Sequence, residues 1–214
     1  RVIGNAFSFM EDVSQNTQKS AGIPAWNTEF NLMDKVGPVA RTWAHALFSA
    51  AMLHGMLDDP SAEMITSHSF HGHKFGAVFF EEDEFAYMQI DPGYSLETVP
   101  GQFSAVGHLM SVVNGVFDSM TQITALDFGP VPMVGGLDAE VVDHPALVGY
   151  LLENEHEQRM IVTNFSSRSM VVDLAGVPGA WSRALVLDAD PRRHILGAGD
   201  VNRSQVAMGS ELSL

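Results

Sequence analysis

Cysteine is absent from all 214 residues. That excludes disulfides, thiolate metal sites and any Cys–His nucleophile pair, and it leaves the redox compartment open. Positive charge is scarce, with 11 Lys and Arg against 26 Asp and Glu and a formal net charge of -15. Such a field repels phosphate backbones, so no nucleic acid is expected as a partner. A strongly acidic polymer such as alginate or pectate would need local cations that this chain mostly lacks, whereas a neutral sugar suits it. No apolar run approaches the roughly 18 residues of a membrane helix, and no signal-peptide pattern opens the chain, so no membrane contact is expected. Also missing are a G-x-S-x-G nucleophile elbow and a phosphate-cradling G-x-x-x-x-G-K. Gly4, Gly22 and Gly37 are isolated turn glycines rather than a dinucleotide fingerprint. No cofactor is expected.

What remains is an ordinary globular composition, 46% hydrophobic and 17% charged, with a mean hydropathy of +0.07. The chain is long enough to bury a core. Its organising stretch is Ile23-Pro-Ala-Trp26-Asn-Thr-Glu29-Phe-Asn31-Leu32. Aromatic, apolar and threonine residues there suit a pleated, half-buried strand. Gly22 punctuates its start, and the turn Asp34-Lys-Val-Gly-Pro38 follows. Pro38 to Asp59 then reads as a helix, with Pro38 at its first position and Asp58-Asp59-Pro60 as its stop. Val39, Trp43, Ala46, Leu47, Ala50, Leu53 and Leu57 recur at the helical period and define one buried stripe. His45 and His54 fall on or beside that helix's surface and read as structural. In a (β/α) barrel a polar residue at the C-terminal end of a strand faces the active-site mouth, which makes Glu29 the leading catalytic candidate.

Upstream, Val2, Ala6, Phe9, Met10 and Val13 stand at loose helical spacing. Downstream, Glu63 to Phe70 reads as the next strand, with His68, His71 and His73 at or just past its end. Their H-x-x-H-x-H spacing invites a zinc site, but no nearby acidic residue completes the set, and no metal is expected. Instead His68 and His71 are expected beside Glu29, as groups that can hydrogen-bond a substrate. Lys74 to Met88 reads as a hairpin with an acidic turn, Glu81 to Glu84, that lacks the spacing of a calcium loop. Gln102 to Met120 reads as a second helix, burying Phe103, Val106, Met110, Val113, Phe117 and Met120. From about Gln122 the character changes to short β-type runs with Gly and Pro punctuation. Val141-Val142, Leu147 to Leu152, Met160 to Phe165, Met170 to Leu174 and Ala184 to Leu187 are spaced as in an antiparallel sandwich.

Trp26-Asn-Thr-Glu29-Phe-Asn31, followed by a helix and a further strand, resembles the seventh-strand region of the retaining glycoside hydrolases with TIM barrels, in particular the α-L-arabinofuranosidases and their β-xylosidase-like relatives. The resemblance implies an α/β plus all-β protein. Residues 1–122 would be the closing part of a (β/α)8 TIM barrel and 123–214 a C-terminal antiparallel β-sandwich. A whole barrel takes about 250 residues, so the chain reads as the C-terminal portion of a longer protein. The resemblance implies Glu29 as catalytic nucleophile and an oligo- or polysaccharide of pentose sugars as substrate. Trp26 and Asn31 join the substrate-binding candidates, Trp26 more readily as barrel packing and Asn31 as a guide for the carboxylate or a sugar hydroxyl.

Retaining hydrolysis needs a second carboxyl about 5 Å from the first. In the resembling families that residue follows an Asn and precedes the nucleophile in sequence. The one Asn-Glu here, Asn154-Glu155, follows Glu29 and reads as a polar turn, so the acid/base is expected upstream of Arg1. A different class of function, a carbohydrate-binding or scaffolding protein on a degenerate barrel, fits the same absence. Homo-oligomerisation is left open.

Overall fold

Two parallel strands joined by a helix carry most of the residues singled out from sequence. The computed structural model describes residues 5–10, 12–13, 23–31, 39, 41–68, 76–78, 102–134, 143–179, 181–195, 198–208 and 211–214. Strand β1, Ala25–Phe30, is followed by helix α1, Trp43–Leu57, and strand β2, Ala62–Ser67. The strands run parallel, with Trp26 opposite Met64 and Phe30 opposite Ser67. The register slips between Asn27 and Phe30, and there the Thr66 hydroxyl reaches the Asn27 and Thr28 carbonyls at 3.1 and 2.5 Å. A βαβ unit of this kind brings the C-terminal ends of both strands to one edge.

The helix begins at Trp43, later than the sequence pattern suggests. Thr42 is its N-cap residue, but the Thr42 hydroxyl turns back to the Val39 carbonyl at 2.7 Å instead of capping the helix. The exposed donors of the first turn are met from far along the chain. The Trp43 N–H donates to the Arg193 carbonyl at 3.0 Å and the Ala44 N–H to the Pro191 carbonyl at 2.8 Å. Helix ends need such partners because their first four N–H groups have none within the helix. At the other end the Asp58 N–H closes on the His54 carbonyl, and the Asp59 carboxylate accepts from the Ser61 N–H and hydroxyl at 2.9 and 2.6 Å.

α1 is buried nearly all round, not along one stripe. His45, Ser49, Ala51, Met52, His54 and Met56 are enclosed as fully as Trp43, Ala46, Ala50 and Leu53. A helix apolar on every side needs neighbours on every side. Here they are the N-terminal helical residues, the helix over Ala105–Phe117 and the sheet carrying Tyr150, Leu152 and Ile161. His45 and His54, expected at the surface, are each 1% exposed. The N-terminal segment, helical at 5–10 and 12–13, buries Ala6, Phe7 and Met10 but leaves Phe9 56% exposed.

Helix α2, Ala105–Phe117, starts at Ser104, whose hydroxyl accepts from the Gly107 N–H at 3.2 Å. It buries Ala105, Val106, Gly107, His108 and Val113, while Phe103 stays 38% exposed. Gly107 is required by crowding: a Cβ there would stand 1.9 Å from the Ala77 carbonyl oxygen.

From Gln122 onward the described elements are short strands, as the change in patterning suggests, with one 3-10 turn at Ala198–Asp200. Strand β3, Gln122–Ala125, pairs with β6, Leu147–Glu153, which pairs with β7, Gln158–Asn164. β4, Met133–Val134, pairs with β5, His144–Pro145. β8, Val171–Asp173, pairs with β11, Glu211–Ser213, and β9, Arg183–Asp188, with β10, Asn202–Ala207. All of these pairings are antiparallel. The β6–β7 turn is tied by Asn154, whose side-chain oxygen accepts from the His156 and Glu157 N–H groups at 2.8 and 2.9 Å. The protein is a mixed α/β structure, 27% helical and 36% strand, and no barrel closes among the described residues. No described helix is long and apolar enough to cross a membrane. The strand at 141–142 lies outside the described residues, as does the hairpin expected over 74–88 except for residues 76–78.

A polar knot sits where α1 meets this sheet. The His54 Nε2 lies 2.8 Å from the Thr163 hydroxyl of β7. The Tyr150 hydroxyl of β6 lies 2.6 Å from an Asp58 carboxylate oxygen and 2.9 Å from the His54 carbonyl. The His54 ring stacks on Tyr150 and meets Phe165 edge-on, while His144 of β5 stacks on Phe7.

Candidate active site

Glu29 and His68 meet at the C-terminal edge of the strand pair. β1 delivers Glu29 one residue before its end, and His68 follows the last residue of β2. The His68 Nδ1 lies 3.1 Å from the Glu29 Oε2, with the two side chains 50% and 68% exposed. A polar contact so open to water contributes at most about 1 kcal/mol to stability. Its placement, at the edge where βα units gather their chemistry, matters more than its energy.

Asn31 lies beside the pair. Its amide Nδ2 donates to the His68 carbonyl, and its Oδ1 lies 2.5 Å from the His45 Nε2. The other ring nitrogen of His45, Nδ1, accepts from the Arg41 N–H at 3.2 Å. The Arg41 carbonyl in turn accepts from the Ile195 N–H at 2.9 Å. Arg41 is 1% exposed and holds a left-handed backbone with φ of 63°, a conformation unfavourable for a residue with a Cβ. Residues held this way cluster at functional sites, because surrounding structure must impose them.

Of the residues singled out from sequence, Glu29, Asn31 and His68 come together. Trp26 does not join them. It is 66% exposed, and its indole N–H donates to Glu63 at 3.3 Å near the start of the strand pair. An aromatic on a two-stranded sheet is buried only where another layer covers it, and Trp26 has no such cover among the described residues. His71 and His73 lie outside the described residues, so the histidine cluster is represented by His68 alone. Among the described residues no group of three His, Cys, Asp or Glu could hold a metal ion. Glu155 sits in the β6–β7 turn, as its polar setting suggests, and is exposed.

Sequence reasoning gave His45 a structural part only and did not single out Arg41. The pattern that could have found His45 is its position on the otherwise apolar α1, where a buried imidazole must have partners. No family model, curated protein or solved structure matches the chain.

Proposed function

We propose that this chain carries the nucleophile of a retaining glycoside hydrolase acting on pentose glycosides, of the α-L-arabinofuranosidase and β-xylosidase kind. In this reading residues 1–122 are the closing part of a TIM barrel and 123–214 a β-sandwich behind it. One observation carries the proposal: a parallel strand–helix–strand unit holds a solvent-open glutamate, paired with a histidine, at the C-terminal edge where such barrels do their chemistry.

The ionised Glu29 attacks the anomeric carbon. A carbon–oxygen bond to the carboxylate forms as the glycosidic bond breaks, and the leaving oxygen takes a proton from a second carboxyl group. Water then cleaves the glycosyl ester, with the second carboxylate accepting its proton. The reading puts that second carboxyl upstream of Arg1. His68 donates to one Glu29 oxygen and leaves the other for attack, and Asn31 holds the His68 main chain. The acidic surface is neutral ground for an uncharged sugar.

The test is Glu29→Ala in the full-length enzyme. Turnover of aryl pentosides falls by roughly 10³-fold or more. Azide enters the vacated space, partly restores turnover, and gives a product of inverted configuration. A variant that retains wild-type turnover on every pentoside tested ends the proposal. A wild-type protein that binds pentosides and turns none over points instead to a sugar-binding scaffold.

A further inference from the structure

His45 lies under the Glu29 site, 1% exposed, on a helix whose other enclosed positions are mostly apolar. A buried imidazole that only filled space would be replaced without loss by an apolar side chain, because burying a polar ring is unfavourable unless its nitrogens are bonded. Both nitrogens of His45 are used, and their uses dictate each other. The Nδ1 accepts from a main-chain N–H, that of Arg41, which can only donate. In the neutral ring the Nε2 must then carry the proton, so the atom facing it, 2.5 Å away, has to be the Asn31 oxygen. With the oxygen committed there, the Asn31 amino group faces the His68 carbonyl. Flipping the amide would set donor against donor at His45 and acceptor against acceptor at His68.

The His68 main chain is therefore held on both sides. Its N–H donates to the Phe30 carbonyl at 3.0 Å, and its carbonyl accepts from Asn31. These two bonds extend the ordered ladder one residue beyond the strand pair, to the residue whose imidazole meets Glu29. We propose that His45 is a positioning residue of the Glu29 site, acting through Asn31 on the His68 main chain and so on the approach of the His68 ring to the carboxylate. The role rests on the reading of Glu29 given above. Arg41, strained and buried, supplies the fixed end of the chain of bonds, since its N–H faces His45 and its carbonyl is tied to Ile195.

The experiment is side-chain nitrogen NMR on the 214-residue chain, which needs no turnover. In the wild type, His45 shows a protonated Nε2 and a bare Nδ1, and Glu29→Gln shifts the His68 ring resonances. In His45→Leu that response of His68 to Glu29→Gln is lost. In His45→Gln, whose amide N–H can reach the Asn31 oxygen, it is restored. Asn31→Asp, which removes the donor to the His68 carbonyl at a half-exposed position, loses it too and decides the matter if His45→Leu does not fold. A folded His45→Leu or Asn31→Asp whose His68 responds to Glu29→Gln as the wild type does would overturn the proposal, as would a His45 protonated on Nδ1 alone. In the intact enzyme, His45→Leu lowers kcat by about 10²-fold with KM little changed, the effect of a misplaced group. A residue needed only for folding would lower the active fraction and leave kcat per folded molecule unaltered. If Glu29→Ala retains turnover, the hydrolase reading fails while the NMR result still judges the chain of bonds.

Discussion

Acid should loosen the seam between α1 and the β6–β7 sheet, and His54 should account for much of the effect. Burial first, and then the charge of His144, push the His54 imidazole down from 6.5 to about 3. The groups facing it are His144, itself lowered by burial with Asp58 pulling the other way, the Tyr150 ring stacked on it and the Thr163 hydroxyl. Below pH 6.5 the unfolded chain takes up a proton that the folded one refuses, so the unfolded state binds more protons and stability falls as pH falls. The loss runs at about 1.4 kcal/mol per pH unit and continues down towards the folded value. Two units below 6.5 it amounts to about 3 kcal/mol, a large part of a stability that for ordinary domains is about 5–15 kcal/mol. The assay is urea unfolding of the wild type and of His54→Gln, whose amide can still donate to Thr163 but does not titrate. Near neutral pH the variant is the less stable, through lost ring packing. Towards about pH 4.5 the gap closes or reverses, moving by about 3 kcal/mol. Carboxylates elsewhere titrate in both proteins and cancel in the difference. A gap that stays constant across that range would refute the assignment.

Gly107→Ala should cost about 3 kcal/mol or more, because its Cβ collides with the Ala77 carbonyl, whereas Gly115→Ala, with open space around it in the same helix, should gain about 0.5–1 kcal/mol. Thermal melts of the two variants check the contrast. Tyr150→Phe should cost about 1–2 kcal/mol in urea unfolding, since it strips the donor from Asp58. That hydroxyl should also resist ionisation, its pKa being pushed well above the usual phenol range by burial and then by Asp58. Dialysed protein should hold no stoichiometric zinc by elemental analysis. Zinc that persists, and is lost when His71 and His73 are changed to Ala, would show that the histidine run is a metal site after all.

The parts legible in sequence were those governed by local rules. A strand that ends in a carboxylate, a turn and an apolar helix predicts the βαβ unit, and Glu29 and His68 meet at its edge accordingly. The β6–β7 hairpin is equally plain, because Asn154 can close its turn alone. Strand β10 was missed: Asn-Arg-Ser-Gln-Val-Ala carries no apolar alternation, and its pairing with β9 rests on main-chain bonds that any sequence could make. Trp26, read as packing, is exposed in this chain, because its burial depends on a covering layer and not on its neighbours in sequence. His45 was misjudged for the opposite reason, since a helix packed on all sides leaves no polar face on which a histidine could sit.

The carbonyls of Pro191 and Arg193 that terminate α1 have a consequence for how the molecule is made. Synthesis proceeds from the N-terminus, so Trp43 and Ala44 leave the ribosome long before their acceptors exist. Until then the first turn, with His45 in it, has donors but no fixed partners and frays against water, as helix ends do. Closing so long a loop is slow compared with forming local contacts. The strand pair and the body of α1 can therefore assemble early, while the turn beneath Glu29 takes its final shape only after residues 191–193 have emerged. Residues 191–193 act as a latch on the start of α1, and a ribosome-bound chain halted before residue 190 should have its strands but not its finished site.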